Sequence, residues 1–338
     1  MKKAIITGIA GQDGAFLAKL LIDKGYEVIG ADRRRTDTEY WRLEDLGIRE
    51  KIKFEFFDLL EVHNIDKLIK KHQPQEFYNL AAQSFVQASF DMPILTSDID
   101  AMGVLRILES IRNNSPSTKL YQASTSEMFG KVQEIPQNEK TPFYPRSPYG
   151  VAKLYAHWMV INYREAYNLF ACSGILFNHE SEYRGNEFVT QKIINHAVKQ
   201  VTGASKTPLE LGNLDAKRDW GYAKDYVYGM YLMLQQEKPD DYILATNKTV
   251  SVREFVETVY NKLNLPLSWV GSGLEEKGIS ENGKTLVQIN PAFFRPTEVD
   301  ILIGDYSKAK RKLNWTPETD LNEMTNIMIE KAKIRLKK

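Results

Sequence analysis

Four side chains that can transfer protons lie between positions 124 and 153. Thr125 and Glu127 belong to the run Ser-Thr-Ser-Glu, and Tyr149 precedes Lys153 by four residues. A spacing of four residues directs both side chains from one face of a helix. The ammonium of Lys153 is then expected to lower the pKa of the Tyr149 phenol, which makes it a base near neutral pH. The Glu127 carboxylate adds a second acid–base group.

A glycine pattern near the amino terminus predicts where a dinucleotide binds. Gly8, Gly11 and Gly14 follow a short apolar run and open a helical pattern. Gly8 allows the tight turn, Gly11 lets the backbone approach a pyrophosphate, and Gly14 lets the helix approach the strand. With Gln12 and Asp13 between them, these residues predict a cofactor site at a helix N-terminus.

The residues at the end of the second predicted strand bear on which cofactor binds, and they point to two different cofactors. Asp32 is placed to hold a ribose 2′-hydroxyl, as in NAD sites. Arg33 and Arg34 follow at once and are suited to a 2′-phosphate, as in NADP sites. We favour NADP, with NAD as the alternative. Asp58, beside Leu59, is an expected adenine contact or, equally, a helix N-cap.

Composition restricts the partners. The chain has 338 residues, of which 43% are hydrophobic, and its formal net charge is +1. That charge provides no field to attract nucleic acid, so we expect none as a partner. The single cysteine excludes an internal disulfide, and the five histidines show no metal-ligand spacing, so no metal is assigned. No signal peptide and no apolar run of about 18 residues is visible. We therefore expect a cytoplasmic protein without a membrane partner.

Strand and helix patterns alternate through the first half. Strands are predicted at 4–7, 26–31, 52–57, 76–80, 119–124 and 171–177, and helices at 13–24, 62–71, 96–113 and 147–167. This order is typical of an α/β fold, a Rossmann-type doubly wound parallel sheet. Such sheets bind ligands beyond the carboxyl ends of their strands. Gly8, Gln83, Thr125 and Asn178 should therefore share one crevice.

The second half is less regular and predicts a smaller, mixed α/β C-terminal substrate domain. Helices are predicted at 188–202, 224–235, 251–263, 305–313 and 321–336, and a loop or hairpin at 271–284. Ser251 and Glu254 form a capping-box pattern. We predict a cofactor domain of residues 1–177 plus about 212–248, and a substrate domain of residues 178–211 and 249–338.

Several short motifs, each occurring once, are distributed along nearly the whole chain. They are residues 7–14, 79–84 (NLAAQS), 124–127 (STSE), 142–153 (PFYPRSPYGVAK), 177–180 (FNHE), 188–192 (FVTQK), 217–221 (KRDWG) and 294–299 (FRPTEV). On these motifs the chain resembles the extended short-chain dehydrogenase/reductase family, and within it the dehydratases of GDP-linked sugars. Glu127 looks like the dehydratase signature, because simple epimerases of the family lack a carboxylate there.

The resemblance implies a role for each matching residue. Thr125, Glu127, Tyr149 and Lys153 would be catalytic. Arg218 and Arg295 would clamp the diphosphate, Glu298 would contact the ribose, and Val189 and Lys192 would hold the guanine. Further substrate contacts would be Ser84, Ser126, Asn178, Arg184 and Leu211. Further cofactor contacts would be Leu80, Ala81, Ala82, Gln83, Tyr149, Lys153 and His179, although a packed histidine is an equal alternative for the last.

The implied reaction is 4,6-dehydration of GDP-mannose. Oxidation at C4 would make the C5 hydrogen acidic, Glu127 would remove it, and water would leave from C6 before the hydride returns there. GDP-manno-heptose is the alternative substrate, and an epimerase or a 4-oxidase is the alternative enzyme. A nucleotide-sugar-binding regulator without catalysis is a further alternative. In relatives the segment 33–42 crosses to a neighbouring subunit, so we expect a homodimer or homotetramer.

Two positions depart from the pattern of these dehydratases. Glu182 and Tyr183 stand where a proline and its neighbour are usual, on a loop that we expect near the sugar. Asp32 stands where many members carry a neutral or basic residue. The first departure bears on the sugar, and the second bears on the cofactor.

Overall fold

The computed structural model describes residues 1–33, 40–294, 297, 299 and 301–337. The strands are β1 (Lys3–Thr7), β2 (Glu27–Asp32), β3 (Ile52–Phe56), β4 (Glu76–Asn79), β5 (Lys119–Thr125), β6 (Ala171–Leu176), β7 (Asn178–Glu180), β8 (Leu209–Leu211), β9 (Lys217–Arg218), β10 (Trp220–Tyr222), β11 (Tyr242–Leu244), β12 (Val250–Ser251), β13 (Leu267–Val270), β14 (Lys277–Ser280) and β15 (Thr285–Ile289). The α-helices are α1 (Gln12–Asp23), α2 (Trp41–Asp45), α3 (Val62–His72), α4 (Val86–Asp91), α5 (Pro93–Ser97), α6 (Gly103–Asn114), α7 (Pro148–Tyr167), α8 (Val189–Val201), α9 (Ala223–Leu234), α10 (Val252–Lys262), α11 (Ser307–Leu313) and α12 (Leu321–Leu336).

The main sheet is parallel throughout and has seven strands within the described ranges, in the order β11-β6-β5-β4-β1-β2-β3. Thr7 at the end of β1 pairs with Ala31 of β2 and with Asn79 of β4. Thr125, at the end of β5, pairs with Leu176 of β6. The carboxyl ends of these strands therefore lie along one edge. The predicted doubly wound α/β fold is confirmed.

Both faces of this sheet are covered because successive strand residues point to opposite sides. Ile5, Phe77 and Leu120 belong to one buried cluster with α3, α6 and α7. Their chain neighbours Tyr78 and Tyr121 belong to another, with α1 and α9. The alternation of the side chains thus places a helical layer on each face, and only the strand ends remain open to a ligand.

The second half builds a mixed layer. A four-stranded sheet, in the order β13-β14-β15-β8, accompanies helices α8, α10 and α12. Two short ladders, β7 with β10 and β9 with β12, connect this layer to the main sheet region. The predicted capping box is present, since Ser251 Oγ accepts from Glu254 N at 3.1 Å and Glu254 Oε2 accepts from Ser251 N at 2.7 Å.

One predicted helix differs from the structure. The helix predicted over 96–113 is divided into α5, a π-helical turn over Asp98–Met102, and α6. Extra backbone in such a turn disturbs the helical period locally, and π turns are frequent at functional sites. The loop or hairpin predicted at 271–284 is confirmed as a hairpin, because β14 pairs antiparallel with the following strand β15. Within the described ranges, no helix combines the length and apolar character needed to cross a membrane.

Candidate active site

A cavity of about 440 Å³ opens at the carboxyl ends of the main strands. Most of the predicted site residues line it. They are Gly8, Gly11, Gln12, Asp13, Gly14, Leu80, Ala82, Ser84, Thr125, Ser126, Glu127, Tyr149, Lys153, Asn178, His179, Arg184, Val189, Lys192, Leu211 and Arg218. The structure therefore brings together residues from both halves of the chain.

The glycine-rich loop forms a tight backbone cradle between β1 and α1. Gly8 has a φ of +67°, and a Cβ on Gly14 would lie 2.4 Å from the Gly8 carbonyl oxygen. Only glycine fits both constraints. Gly11 precedes the first residue of α1, so the unpaired N–H groups of the helix N-terminus face the cavity region. This geometry matches the predicted anion site.

His179 and Asp13 form a partly buried pair that joins β7 to the start of α1. His179 Nε2 lies 2.8 Å from Asp13 Oδ2, and Nδ1 lies 2.8 Å from the Phe177 carbonyl oxygen. Burial lowers the pKa of His179, but Asp13 outweighs it and the net shift is upward. Burial likewise raises the pKa of Asp13, but His179 outweighs it and the net shift is downward. The packed interpretation of His179 agrees with its bond to the Phe177 carbonyl oxygen, and because the residue also lines the cavity, the predicted cofactor contact stays a prediction.

A buried hydrogen-bond chain connects the strand ends beneath the cavity. Thr7 Oγ1 donates to Asn79 Oδ1, and Asn79 Nδ2 donates to Gln122 Oε1, both at 2.7 Å. Gln122 Nε2 donates to the carbonyl oxygen of Ala123 at 2.9 Å, and Lys153 Nζ donates to the same oxygen at 2.7 Å. The chain therefore fixes the Lys153 ammonium to the sheet itself.

Thr125 ends β5, and Glu127 lies on the 3₁₀ turn Ser126–Met128 that follows it. Thr125 Oγ1 caps the turn by accepting from Glu127 N at 3.2 Å. Glu127 is 7% exposed. A Cβ on Gly150 would lie 2.9 Å from the Glu127 carbonyl oxygen, so glycine in α7 permits the close approach of the two segments. Ser147 caps α7 by accepting from Gly150 N at 3.0 Å.

The prediction that Lys153 lowers the pKa of Tyr149 is wrong for this structure. Burial raises the pKa of the phenol well above its usual range, and the charges of Asp100 and Glu127 raise it further, while a hydrogen bond with Thr125 opposes the rise. Lys153 Nζ lies 5.9 Å from the centroid of the Tyr149 ring and bonds to Ala123 instead. Desolvation therefore outweighs the attraction that sequence spacing suggested.

Asp100, which the sequence interpretation did not single out, lies in the π-helical turn that packs against α7. It is 1% exposed, and its Oδ1 accepts from Gln83 N at 2.8 Å. Burial raises the pKa of Asp100 to about 6, although the nearby Lys153 ammonium opposes the rise. Burial lowers the pKa of Lys153, and Asp100 opposes that shift. The two buried charges thus stabilise each other.

Cations resting on aromatic rings form the far side of the cavity. Lys192 Nζ lies 3.5 Å from the ring centroid of Phe293, and Arg184 Cζ lies 3.5 Å from that of Phe188. Such contacts are attractive because the ring face carries negative charge density. Arg218 is held by its Nη1, which donates to the Val299 carbonyl oxygen at 2.7 Å.

Comparison with known proteins decides the family. The family model described as GDP-mannose 4,6 dehydratase matches residues 5–328. The chain belongs to the GDP-mannose 4,6-dehydratase family. A relative from Sinorhizobium fredii, named GDP-mannose 4,6-dehydratase, is 51% identical over 97% of this chain and 95% of its own length. The relative of that name from Homo sapiens is 50% identical over 96% of this chain and 90% of its own.

Solved structures of lower identity show that the fold extends beyond this family. The dTDP-glucose 4,6-dehydratase of Bacillus anthracis, in complex with NAD, has a TM-score of 0.82 at 18% identity and covers 100% of this chain and 98% of its own. RMD from Pseudomonas aeruginosa, complexed with NADPH, has a TM-score of 0.78 at 18% identity and covers 99% and 100%. Both cofactors therefore occur with this fold.

Some residues predicted for the dehydratase site are placed elsewhere or lie outside the described ranges. Asp32, Arg33, Asp58, Leu59, Ala81 and Gln83 are not among the described residues that line the cavity. The backbone N–H of Gln83 donates to Asp100 Oδ1, and its side-chain Nε2 donates to Thr96 Oγ1. Asp58 Oδ1 accepts from Leu60 N at 3.0 Å, which is a turn interaction. Arg34, Arg295 and Glu298 lie outside the residues that the structure describes.

Glu182 and Tyr183 make packing contacts beside the cavity, and their expected effect on the sugar stays a prediction. Tyr183 is 3% exposed and packs on Phe16 and Trp41. Glu182 accepts from the hydroxyl of Tyr222 at 3.1 Å. Neither residue is among those that line the cavity. The departure from the family pattern thus changes a packing contact, not the described cavity surface.

The cavity of this family member also contains side chains that sequence reasoning missed. They include Phe85, Val86, Gln87, Glu187, Phe188 and Phe293. Phe85 directly follows the motif at 79–84, and Phe188 begins the motif at 188–192, so these motifs could have indicated both residues. Phe293 is joined to Lys192 only by tertiary packing. Within the described ranges, no group of three or more His, Cys, Asp or Glu side chains is arranged to hold a metal ion.

Proposed function

We propose that this enzyme converts GDP-D-mannose to GDP-4-keto-6-deoxy-D-mannose by moving a hydride from C4 to C6 with loss of water. The observation that carries the proposal is the convergence of Thr125, Glu127, Tyr149 and Lys153 in one cavity with the glycine-rich loop. Oxidation and elimination need an alcohol-oxidising pair and a separate carboxylate, and this cavity contains both.

The residues fit a nicotinamide cofactor. The glycine cradle, the open N-terminus of α1 and the buried Asn178 Oδ1, which has no hydrogen-bond partner among the described residues, are suited to a dinucleotide. Gln12, Asp13, Leu80, Ala82 and His179 would contact it, and Arg33 and Arg34 favour NADP. Asp32 keeps NAD as the alternative. When bound, the oxidised nicotinamide accepts a hydride, returns it later, and carries a positive charge.

Tyr149, Thr125 and Lys153 would act at O4 of the sugar. Tyr149, as the phenolate, would take the O4 proton as the C4–H bond breaks, while Thr125 orients the same oxygen by a hydrogen bond. Because burial and the charges of Asp100 and Glu127 raise the pKa of Tyr149, formation of the phenolate needs positive charge beside it. Lys153, fixed on the Ala123 carbonyl oxygen, supplies one such charge at constant distance.

Glu127 would act at C5. The C4 ketone makes the C5 hydrogen acidic, and the Glu127 carboxylate removes it as a proton. The C6–O bond then breaks, and hydroxide leaves as water with a proton from Glu127 or a neighbour. The hydride would return to C6, and Glu127 or a neighbour would reprotonate C5 with a proton drawn from solvent. The close packing of Gly150 on the Glu127 backbone holds this carboxylate one short turn from Thr125.

The opposite side of the cavity would hold the nucleotide. Val189, Lys192 and Leu211 would contact the guanine, and Arg218, whose guanidinium is already fixed at Val299, would bind the diphosphate. Ser84, Ser126, Asn178 and Arg184 line the space between the two ends and would contact the sugar. Arg295 and Glu298 stay predicted contacts for diphosphate and ribose.

Isotope transfer tests the reaction itself. GDP-mannose deuterated at C4 should yield a product that is lighter by one water and carries deuterium at C6. In deuterated water, unlabelled substrate should gain one deuterium at C5. Retention of C4 deuterium in a product that has lost no water would favour the epimerase alternative, and transfer of that deuterium to the cofactor without loss of water would favour the 4-oxidase alternative. Binding without any product would favour the non-catalytic regulator. Comparison of kcat/KM on GDP-mannose and GDP-manno-heptose decides between the two sugars.

The cofactor proposal is tested separately by binding. Titration with NADPH and NADH, followed by nicotinamide fluorescence, should give a lower Kd for NADPH, because guanidinium groups favour a 2′-phosphate. A preference for NADH would instead assign the decisive role to Asp32.

We also propose a homodimer, formed by an apolar face of α7. Val151, Tyr155 and Trp158 recur on one side of this helix and are 40–56% exposed. Ile94 of the adjoining α5 is 85% exposed. A second copy related by a two-fold axis would cover this patch. Light scattering should show a dimer that the variant Trp158→Glu converts to monomer, and a monomeric wild type would contradict the proposal.

Four further features stay predictions. They are the tetramer, the cytoplasmic location, the absence of a nucleic-acid partner, and the division into one domain of residues 1–177 plus about 212–248 and a second of residues 178–211 plus 249–338. β11 belongs to the main sheet and β8 to the smaller sheet, which supports the proposed division.

A further inference from the structure

The indole of Trp41 contacts two guanidinium groups. Arg42 Cζ is 4.4 Å from the ring centroid, and Arg335 Cζ, from the last turn of α12, is 4.3 Å from it. The Tyr183 ring adjoins the stack, with its centroid 5.6 Å from that of Trp41. Cation–π contacts of this kind are strongest when partly desolvated. The end of the chain is therefore joined to α2, which lies near the amino terminus.

Polar bonds strengthen the same junction. Asp45 Oδ2 accepts from the Tyr183 hydroxyl and from Lys331 Nζ, each at 2.5 Å. Burial raises the pKa of Asp45, but these hydrogen bonds outweigh it and the net shift is downward. Arg335 Nη1 also donates to the Glu182 carbonyl oxygen at 2.6 Å. We call the set the C-terminal clamp; it comprises Trp41, Arg42, Asp45, Tyr183, Lys331 and Arg335.

Arg42 connects the clamp to the glycine-rich loop. Its Nη1 donates to the Ala10 carbonyl oxygen at 3.0 Å, and its Nε donates to the Tyr183 carbonyl oxygen at 2.8 Å. Burial and the neighbouring charge of Arg335 lower the pKa of Arg42 to about 10, so the guanidinium stays protonated at neutral pH. One side chain thus bridges α2, the loop before α1, and the segment after β7.

The clamp also fixes α2, the first helix described after β2. β2 ends at Asp32, and α2 begins at Trp41. Through the bond from Arg42 to the Ala10 carbonyl oxygen, anchoring α2 also holds the glycine-rich loop. Side chains anchored in place before binding lose less conformational entropy when a ligand arrives.

We propose that the C-terminal clamp is a positioning device for the cofactor, through which α12 holds α2 and the glycine-rich loop in the arrangement that binds the phosphate-bearing adenosine end. The inference rests on the nicotinamide cofactor of the proposed function. It makes the last helix, remote in sequence from the glycine loop, a determinant of cofactor affinity. None of the clamp residues touches the reacting atoms in this assignment.

The test compares Arg335→Ala with Lys333→Ala. Lys333 lies on the same turn of α12, carries the same charge, and pairs only with the exposed Glu330 among the described residues. Arg335→Ala should raise the Kd for NADPH, measured by fluorescence titration, about tenfold, as expected for loss of a partly buried cation–π contact. Lys333→Ala should leave that Kd unchanged. The affinity for GDP, measured by calorimetry, should change less than twofold in both variants.

A second variant keeps the test decisive if Arg335→Ala folds poorly. Arg335→Lys retains the charge but loses the planar stack and the directed hydrogen bond, so a smaller rise in the Kd for NADPH is expected. Equal NADPH affinity in folded Arg335→Ala and in wild type would overturn the clamp proposal. A parallel loss of NADPH and GDP affinity would also overturn it, because that result indicates general destabilisation. Wild type that binds no NADPH would instead overturn the proposed function.

Discussion

The two sides of the cavity are built in different ways. The strand-end wall consists of residues 8–14 and 124–127 with Tyr149 and Lys153, and the cation–aromatic wall consists of Arg184, Phe188, Lys192, Arg218 and Phe293. In the first wall, Gly8, Gly11 and Gly14 lie so close to neighbouring backbone that an added Cβ would be 2.4–3.2 Å from it, and buried hydrogen bonds fix the side chains. In the second, long cationic side chains lie on aromatic rings.

Their charges are also maintained differently. Asp100 beneath the strand-end wall is buried, and burial raises its pKa to about 6. Glu210 beside the cation–aromatic wall is only partly buried, and hydrogen bonds from Asn290 and Gln288 lower its pKa. The first wall thus holds charges that burial destabilises at fixed positions, whereas the second wall presents long side chains that can adapt to a ligand. Substitutions in the first should reduce kcat, and substitutions in the second should raise KM.

The largest effect is expected for Tyr149→Phe. Removing the phenol removes the only assigned base for O4, so kcat should fall on the order of 10³-fold. Rapid mixing with NADP⁺ and GDP-mannose should show no absorbance of reduced cofactor. The Kd for GDP, determined on the same sample, should be unchanged. A variant with more than a tenth of the wild-type kcat would break the assignment of Tyr149.

Glu127→Gln should separate oxidation from elimination. The amide cannot take the C5 proton, so turnover should fall on the order of 10²-fold. Reduced cofactor should still form in a single turnover, because Tyr149 and Lys153 are intact. Mass spectrometry in deuterated water checks the prediction. Incorporation of C5 deuterium at the wild-type rate would show that another group is the base.

Asp100→Asn should reveal how much the buried Asp100 charge beneath the strand-end wall destabilises the fold. The folded-state pKa of about 6 exceeds the ordinary value of 3.8, so the folded protein binds the proton more tightly than the unfolded chain. Stability is therefore lost as pH rises from about 4 to about 6, and the loss is complete above that range. The variant lacks this loss, and its free energy of unfolding relative to wild type should rise by up to about 3 kcal/mol between pH 4 and 7.

Urea denaturation at several pH values measures this difference. The groups that face Asp100 are Lys153, which favours its charge, and Tyr149, whose pKa it raises. Both remain in the variant, so the pH-dependent difference isolates the carboxylate. Parallel stability curves for wild type and variant would contradict the assignment of a strained charge to Asp100.

Phe293→Ala should give the smallest of these effects and sharpen the contrast between the walls. Loss of the ring beneath Lys192 should raise KM for GDP-mannose about tenfold and leave kcat within about twofold. Phe294→Ala is the matched control, since Phe294 is similarly exposed but is not among the described residues that line the cavity. A fall in kcat without a change in KM would contradict the division of roles.

Local patterns made much of the fold predictable. The strand and helix order of the first half follows from residue alternation, and helix α7 was expected at 147–167 and occurs at Pro148–Tyr167. Short ladders such as β7 with β10 were missed, because three residues are too few to show a period. The π-helical turn was also missed, since its backbone irregularity leaves no simple pattern in the sequence.

The site divides in the same way. The sequence alone determined that one set of site residues would meet, because its members lie close together in the chain or at the ends of neighbouring strands. These residues are Gly8, Gly14, Thr125, Glu127, Tyr149 and Lys153. Packing decided the pKa of Tyr149, the placement of Tyr183 in the clamp, and the pairing of Lys192 with Phe293. Desolvation and contact between distant segments depend on which surfaces the folded chain buries, and residue spacing does not encode that quantity.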